Sequence, residues 1–306
     1  MAIVLGSTQY GKAETRLVRI VRDTSRHEIR DVNVTTALRG DFTDAHLVGD
    51  QAKVLPTDTQ KNTAYAFAKQ HGLHSIEQFG TVLATHFLDD VEPVTGARVE
   101  LEEYAWERVR IDGVEHDHTW VRSGQEVRTA AVTVEQTGNA TEVQIVGGLK
   151  DLVLLKSTGS EFSGFLKDEY TTLPETDDRI MATSLVARWR FRPGFAPASP
   201  EGWNELYASV RALLVGKYAT LHSLALQQTL WHMGRAVLEA HEEIVEVTLS
   251  APNKHHFLVD LTPFGLDNPG EVFFAADRPY GLIQATIVRD DAPDAGSAWR
   301  SSAGLA

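Results

Sequence analysis

The sequence predicts an α+β fold built from two tandem copies of one unit, each an antiparallel sheet with two helices on one face. Three features predict it. Apolar residues recur first at the period of strands, then of helices, then of strands again. That order, strand–strand–helix–helix–strand–strand, is read twice along the chain. Between the two passes lies Thr137-Gly138-Asn139-Ala140-Thr141, a turn-forming stretch that divides the chain into units 1–140 and 141–306. A sheet covered on one face keeps its other face and its edges unsatisfied, so closure into barrels by association is expected.

Residues 14–37 read as two strands with a turn near Arg26 and His27, although Leu17, Val18, Ile20 and Val21 would also suit a short helix. Thr57-Asp58-Thr59-Gln60 and Ser75-Ile76-Glu77-Gln78 both fit a capping box and each predicts a helix start. In that motif a hydroxyl and a Glu or Gln three residues later satisfy free N–H groups reciprocally. Ile76, Phe79, Val82, Leu83 and Phe87 form one apolar face on the second helix. Past Asp89 the period becomes that of strands. Val99 and Leu101 alternate with charges, Tyr104 and Trp106 resume out of phase, and Val127 to Val134 is a further apolar run, so a bulge is expected near Glu103.

In the second half, Leu152–Leu155 and the alternation from Met181 to Phe191 read as strands. Pro193 to Pro200 is a break. Helices are predicted over about 201–216 and 219–241, and strands over 244–250, 256–262 and 281–289.

At 306 residues, 42% hydrophobic and 23% charged, the composition is that of a soluble globular protein. No apolar run reaches the roughly 18 residues of a membrane span, and no secretory signal opens the chain. The net charge of −13 disfavours nucleic acid, whose phosphates require a basic face. The chain has no cysteine, which excludes disulfides, thiolate nucleophiles and cysteine-held zinc and fits a cytoplasmic protein.

Five stretches raise a question of chemistry. Gly6, Gly11 and Lys12 stand at the spacing of a phosphate-cradling loop, but Ala13 replaces the Ser or Thr that would hold magnesium, and the following sequence is strand-like. His116 and His118, and His86 with Asp89 and Asp90, could each be half of a metal site, yet no third ligand of matching spacing accompanies them. Asn253-Lys254-His255-His256, after Pro252, is either a turn former or a site between strands. From Lys156 to Arg179, the aromatics Phe162, Phe165 and Tyr170 are either a packed connector or a stacking platform with a planar cation beside it.

Taken together, YGK at 10–12, TDTQKNT at 57–63, the block 152–179, LQQTLW at 226–231 and PNKHHF at 252–257 resemble the urate oxidase (uricase) family over most of the chain. The resemblance implies the tunnelling fold, with tandem ββααββ units pairing into barrels, and a homotetramer whose active sites lie between subunits. It implies oxidation of urate by O2 and water to 5-hydroxyisourate and hydrogen peroxide, with no metal or organic cofactor. Other tunnelling-fold enzymes act on pterin or GTP with zinc, and a non-catalytic purine-binding homologue is the third reading. The C-terminal Gly-Leu-Ala lacks the peroxisomal signal common in eukaryotic members, so a bacterial, cytoplasmic enzyme is expected.

Carried over by position, the resemblance implies that Phe162 stacks on the purine, that Arg179 pairs with one edge and Gln227 with the other, and that the backbone N–H of Leu226 adds a contact. Leu173 would be an apolar wall. Lys12 and Thr57 from the neighbouring chain, with His255, would relay protons. Asn253 would hold oxygen and then water above the ring, and Asp58 would position the neighbouring backbone and the ligand edge. Lys12 thus reads as a general base rather than a phosphate lysine.

Overall fold

The computed structural model describes residues 2–301; the terminal Gly-Leu-Ala lies outside them. Among the described residues, ten strands and five α-helices run in the order β1 (Thr15–Val21), β2 (Glu28–Gly40), α1 (Thr43–Leu47), α2 (Thr57–Gln70), α3 (Ile76–Asp90), β3 (Val94–Ile111), β4 (Val114–Thr137), β5 (Ala140–Lys156), β6 (Met181–Phe191), α4 (Gly202–Thr220), α5 (Leu226–Ala240), β7 (Ile244–Asn253), β8 (His256–Leu258), β9 (Phe273–Ala275) and β10 (Gly281–Val288). The twofold ββααββ order is present. Rather than two sheets, however, eight strands form one antiparallel sheet in the order β1-β2-β3-β4-β5-β6-β7-β10. The two-residue turn at Gly138-Asn139 lets β4 and β5 pair from Thr137–Ala140 to Val127–Lys150, joining the halves edge to edge.

Alternation decides the faces. Ala97, Val99 and Leu101 of β3, and Ala187, Trp189 and Phe191 of β6, are buried in one continuous apolar cluster with Phe79, Leu83 and Phe87 of α3 and Leu230, Met233 and Val237 of α5. Gly80 lets α3 lie close, since a Cβ there would stand 2.8 Å from Leu101 Cδ1. On the opposite face Arg98 donates to the Ala298 carbonyl (3.1 Å), Arg190 to that of Pro293 (3.0 Å), and Trp299 Nε1 to Glu246 (3.2 Å). The last described residues therefore run across the helix-free side.

Leu17–Val21 is strand, as the two-strand reading of 14–37 expects, with alternate residues on the two faces. Other expectations are corrected. The first capping box does not form: Pro56 precedes the first turn of α2, and Gln60 turns inward to Thr36. In the second, Ser75 accepts from the Gln78 N–H (3.3 Å), but the Gln78 carboxamide oxygen is buried without a partner, so the reciprocal bond is missing. The bulge expected near Glu103 is present, as a register break between Tyr104 and Trp106 of β3. The strand placed at 256–262 stops at Leu258 and pairs with β9 in a separate ribbon, which leaves β10 to complete the main sheet. Among the described residues no helix is long and apolar enough to cross a membrane.

The two halves are also pinned by charge. Arg128 of β4 donates to Glu77 of α3 (2.6 Å), to Glu103 (3.3 Å), and across to Asn204 (2.6 Å) and the Trp203 carbonyl (3.2 Å) of α4. Arg128 and Glu77 are both buried. Burial raises the Glu77 carboxyl, and Arg128 opposes that rise. Arg128→Met leaves Glu77 buried and uncompensated, so urea unfolding is expected to report a loss of about 3–5 kcal/mol. A loss within the roughly 0.5 kcal/mol of ordinary surface substitutions would show that the pin is dispensable.

Candidate active site

The segment between β5 and β6 has almost no regular structure, yet its backbone is tied at defined points. Phe162 and Thr176 exchange N–H to C=O bonds (2.9 and 3.1 Å), and Arg179 N–H donates to the Ser160 carbonyl (2.8 Å). Glu161 N–H donates to Ser223 C=O (2.8 Å), and Ser223 N–H to Gly159 C=O (3.0 Å). Ser223 lies three residues before α5. The bridges therefore bring Phe162, Arg179 and the start of α5, with Leu226 and Gln227, into one neighbourhood. The Asp178 carboxylate closes the loop by accepting from Thr158 Oγ1 (2.8 Å) and Gly159 N–H (2.9 Å), and the Thr158 bond is the first cause holding it below its usual value.

In that neighbourhood the Arg179 guanidinium carbon stands 5.2 Å from the Phe162 ring centroid. Phe165 lies nearly parallel to Phe162, with centroids 4.9 Å apart, so the two rings stack on each other. Arg179 Nε is buried with no hydrogen-bond partner. An orphaned guanidinium donor is costly unless a ligand takes it up. Burial lowers the Arg179 pKa from its ordinary value, while Tyr218, whose hydroxyl donates to the Met181 carbonyl (2.7 Å), opposes the shift. Gln227 is exposed and Leu226 buried at the helix start. Leu173 and Tyr170 are exposed, and neither joins Phe162 and Phe165 in a ring contact. Of the three aromatics in this segment, two stack on each other.

Asn253 ends β7, and His255 follows between β7 and β8, within electrostatic reach of Arg179. The strand does not end at Pro252 but runs through it, paired with Leu282 of β10. Asn253 is buried in register with Thr183 and Gly281. Lys254 N–H donates to the Ala182 carbonyl (2.8 Å), and His255 C=O accepts from Ala276 (2.9 Å). Burial first, then Arg179, then His256, hold His255 below its ordinary pKa of 6.5, so its ring is neutral at neutral pH. Removing the cation by Arg179→Gln is expected to move the His255 titration upward toward 6.5 in an imidazole NMR titration. An unmoved titration would separate the two side chains.

Lys12, Thr57 and Asp58 form a second group. Lys12 C=O accepts from Thr36 N–H (2.9 Å) on β2, and Thr57 and Asp58 open α2. Asp58 pairs with Lys61 and accepts from Asn62 (3.0 Å); Lys61 is the first cause of its lowered pKa, and Lys12 adds to it. No helix follows Lys12, and Tyr10 and Lys12 pair antiparallel to β2, so the phosphate-loop geometry is not formed. Six strand spacings, about 29 Å along the sheet, separate β1 from β7. The two groups therefore stand apart within one chain.

The remaining histidine candidates are accounted for locally. His86 pairs with Asp90 (2.6 Å) and lies against Phe67, and His116 and His118 stack edge to face at 4.5 Å. Among the described residues no group of three or more His, Asp or Glu side chains could hold a metal ion.

The uricase family model matches residues 8–133 and 145–284. The chain belongs to the uricase family. A uricase of Arthrobacter globiformis is 52% identical over 303 residues, 99% of this chain and 96% of that one. One from Danio rerio is 36% identical, covering 92% and 94%. The crystal structure of the Arthrobacter globiformis uricase aligns at 53% identity with a TM-score of 0.88, covering 96% of this chain and 98% of that one. A urate oxidase structure from Bacillus sp. TB-90, 23% identical, has a TM-score of 0.80 over 92% and 100% and shares the fold.

Sequence reasoning missed the residues that support the uricase motifs: Asp178, Ser160, Ser223 and Tyr218 around Arg179, and Thr36 beside Lys12. Asp178 was within reach, since an Asp in a loop commonly accepts from local backbone N–H groups. For the hydroxyls and Tyr218 no periodicity carries a signal.

Proposed function

We propose that this uricase-family chain oxidises urate with O2 and water to 5-hydroxyisourate and hydrogen peroxide at sites shared between two copies. The carrying observation is the buried, unpartnered Arg179 Nε beside the Phe162 ring. It matches a flat anion with a hydrogen-bond acceptor at its edge. In this reading Phe162 stacks on the purine and Arg179 pairs with one edge, while Gln227 and the Leu226 N–H hold the other and Leu173 adds an apolar wall. A purine with a different carbonyl pattern would leave these polar groups unpaired once the bound ring covers them, which is the source of selectivity.

The second copy contributes Lys12, Thr57 and Asp58. The separation of the two groups across one sheet supports this assignment, as do the open edges at β1 and β10, which suit barrel closure and a homotetramer. Urate must lose a further proton before it becomes a good electron donor. Thr57 both donates and accepts, so it passes that proton to Lys12, and the neutral His255 ring connects to the same relay. Asp58 orients the start of α2. Asn253 holds oxygen, and then the attacking water, over the ring face. The deprotonated purine supplies two electrons to O2, which leaves as peroxide, and water adds its hydroxyl to the oxidised ring.

Purified protein in air should bleach the urate ultraviolet band with matching oxygen uptake and peroxide release, and a nitrogen-purged sample should not. The rate is expected to survive a strong chelator. Loss on chelation with recovery on added zinc would instead place the chain among the zinc-using pterin or GTP enzymes.

A further inference from the structure

Gln60 is fully buried one turn into α2, and Thr36 is buried on β2. The Thr36 hydroxyl donates to Gln60 Oε1 at 2.6 Å and accepts the Lys12 N–H at 3.2 Å. The Thr36 backbone N–H donates to Lys12 C=O at 2.9 Å. One threonine therefore holds both backbone groups of Lys12 and reaches through a single hydrogen bond into the helix that begins with Thr57. A second link runs in parallel: Tyr10 Oη donates to the Leu55 carbonyl (3.1 Å), two residues before Thr57. Gly11, between the two anchored residues, has no room for a side chain. A Cβ there would stand 1.7 Å from the Thr36 carbonyl oxygen.

We infer that Thr36 and Gln60 are positioning residues that set Lys12 against Thr57. The inference rests on the proposed relay. Helix α2 also packs against β1 and α3. A buried hydroxyl–carboxamide pair has directional geometry that an apolar pair lacks, and here its direction runs from one relay residue's backbone to the other's helix. The sequence reading assigned Gln60 to capping; its inward turn frees α2's first N–H groups and ties the helix to the Lys12 strand instead.

The test uses the full-length protein and a double-mutant cycle. Thr36→Val removes the hydroxyl at nearly constant volume. Gln60→Met removes the other end and serves if the first variant does not fold. Thr36→Ser restores the hydroxyl. Displacing a relay group by a fraction of an ångström to 1 Å is expected to lower kcat about 10- to 100-fold. KM for urate should stay within about 2-fold, since the Phe162–Arg179 grip is untouched. Thr36→Ser should recover most of the rate. In a Lys12→Met background, Thr36→Val or Gln60→Met should cost no further kcat, because the group they position is already gone. A lowered thermal midpoint with unchanged kcat, a rise in KM alone, or a full further loss in the Lys12→Met background would overturn the inference. If Lys12→Met itself keeps the wild-type rate while urate is still oxidised, the relay reading fails separately and takes the positioning role with it.

Discussion

Lys12→Met should lower kcat for urate oxidation by about 100- to 10,000-fold, the range associated with removal of a general base. Binding of a non-reactive urate analogue should weaken by no more than about 3-fold, because the substrate grip and the base belong to different groups of residues. The physical ground is the split between the two clusters. Phe162, Arg179 and the start of α5 are tied together by backbone bridges, whereas Lys12 is held by Thr36 at the other side of the sheet. Methionine keeps the length and apolar stem of lysine but has no proton acceptor of comparable basicity. Stopped-flow decay of urate absorbance, with analogue binding by fluorescence or calorimetry, reads both quantities. If affinity and rate fell by the same factor, Lys12 would be a ligand contact and not a base.

The second large effect is on binding. Arg179→Gln removes a planar cation whose Nε has no protein partner, and a charge-assisted bond is worth about 1.5–3 kcal/mol. Two such bonds to one urate edge lead us to expect analogue affinity to fall about 100-fold or more, with activity near background. The same variant tests the shared site. A Lys12→Met chain still carries Arg179, and an Arg179→Gln chain still carries Lys12. After subunit exchange, random pairing of equal amounts builds about one intact site in four, so a mixture of two inactive proteins should regain activity. Confirmed exchange, by mass spectrometry of labelled chains, without any recovery would mean that each site is built within one chain.

The legible part of the molecule is the part written in local periodicity. The order of strands and helices follows from runs such as Ile76, Phe79, Leu83 and Phe87, where burial of one face is a property of neighbours in the sequence. Boundaries were less legible. Thr220 and Leu226 bound a linker that apolar periodicity ran across, and Pro252 sits inside β7 although proline suggests a strand end. Between β6 and β7 no register partner falls on Pro252, consistent with a residue that has no N–H to donate. Ribbon residues 256–258 looked like any other short apolar strand; their partner, 273–275, carries too few residues to announce itself.

Site residues divide in the same way. Blocks such as PNKHHF and TDTQKNT are contiguous, so they could be matched without knowing the fold. Their support is scattered. Thr36 lies 24 residues from both Lys12 and Gln60, and Arg179 lies 17 beyond Phe162, so only the register of β2 and the path of the loop decide that they meet. By itself the sequence determined the duplicated element order, the apolar faces and the family, because each depends on residue type at short spacing. Tertiary structure alone decided that Gln60 turns inward, that both halves share one sheet, and that Lys12 stands six strands from Asn253. Contacts between distant residues depend on register and topology, which residue spacing along a chain does not encode.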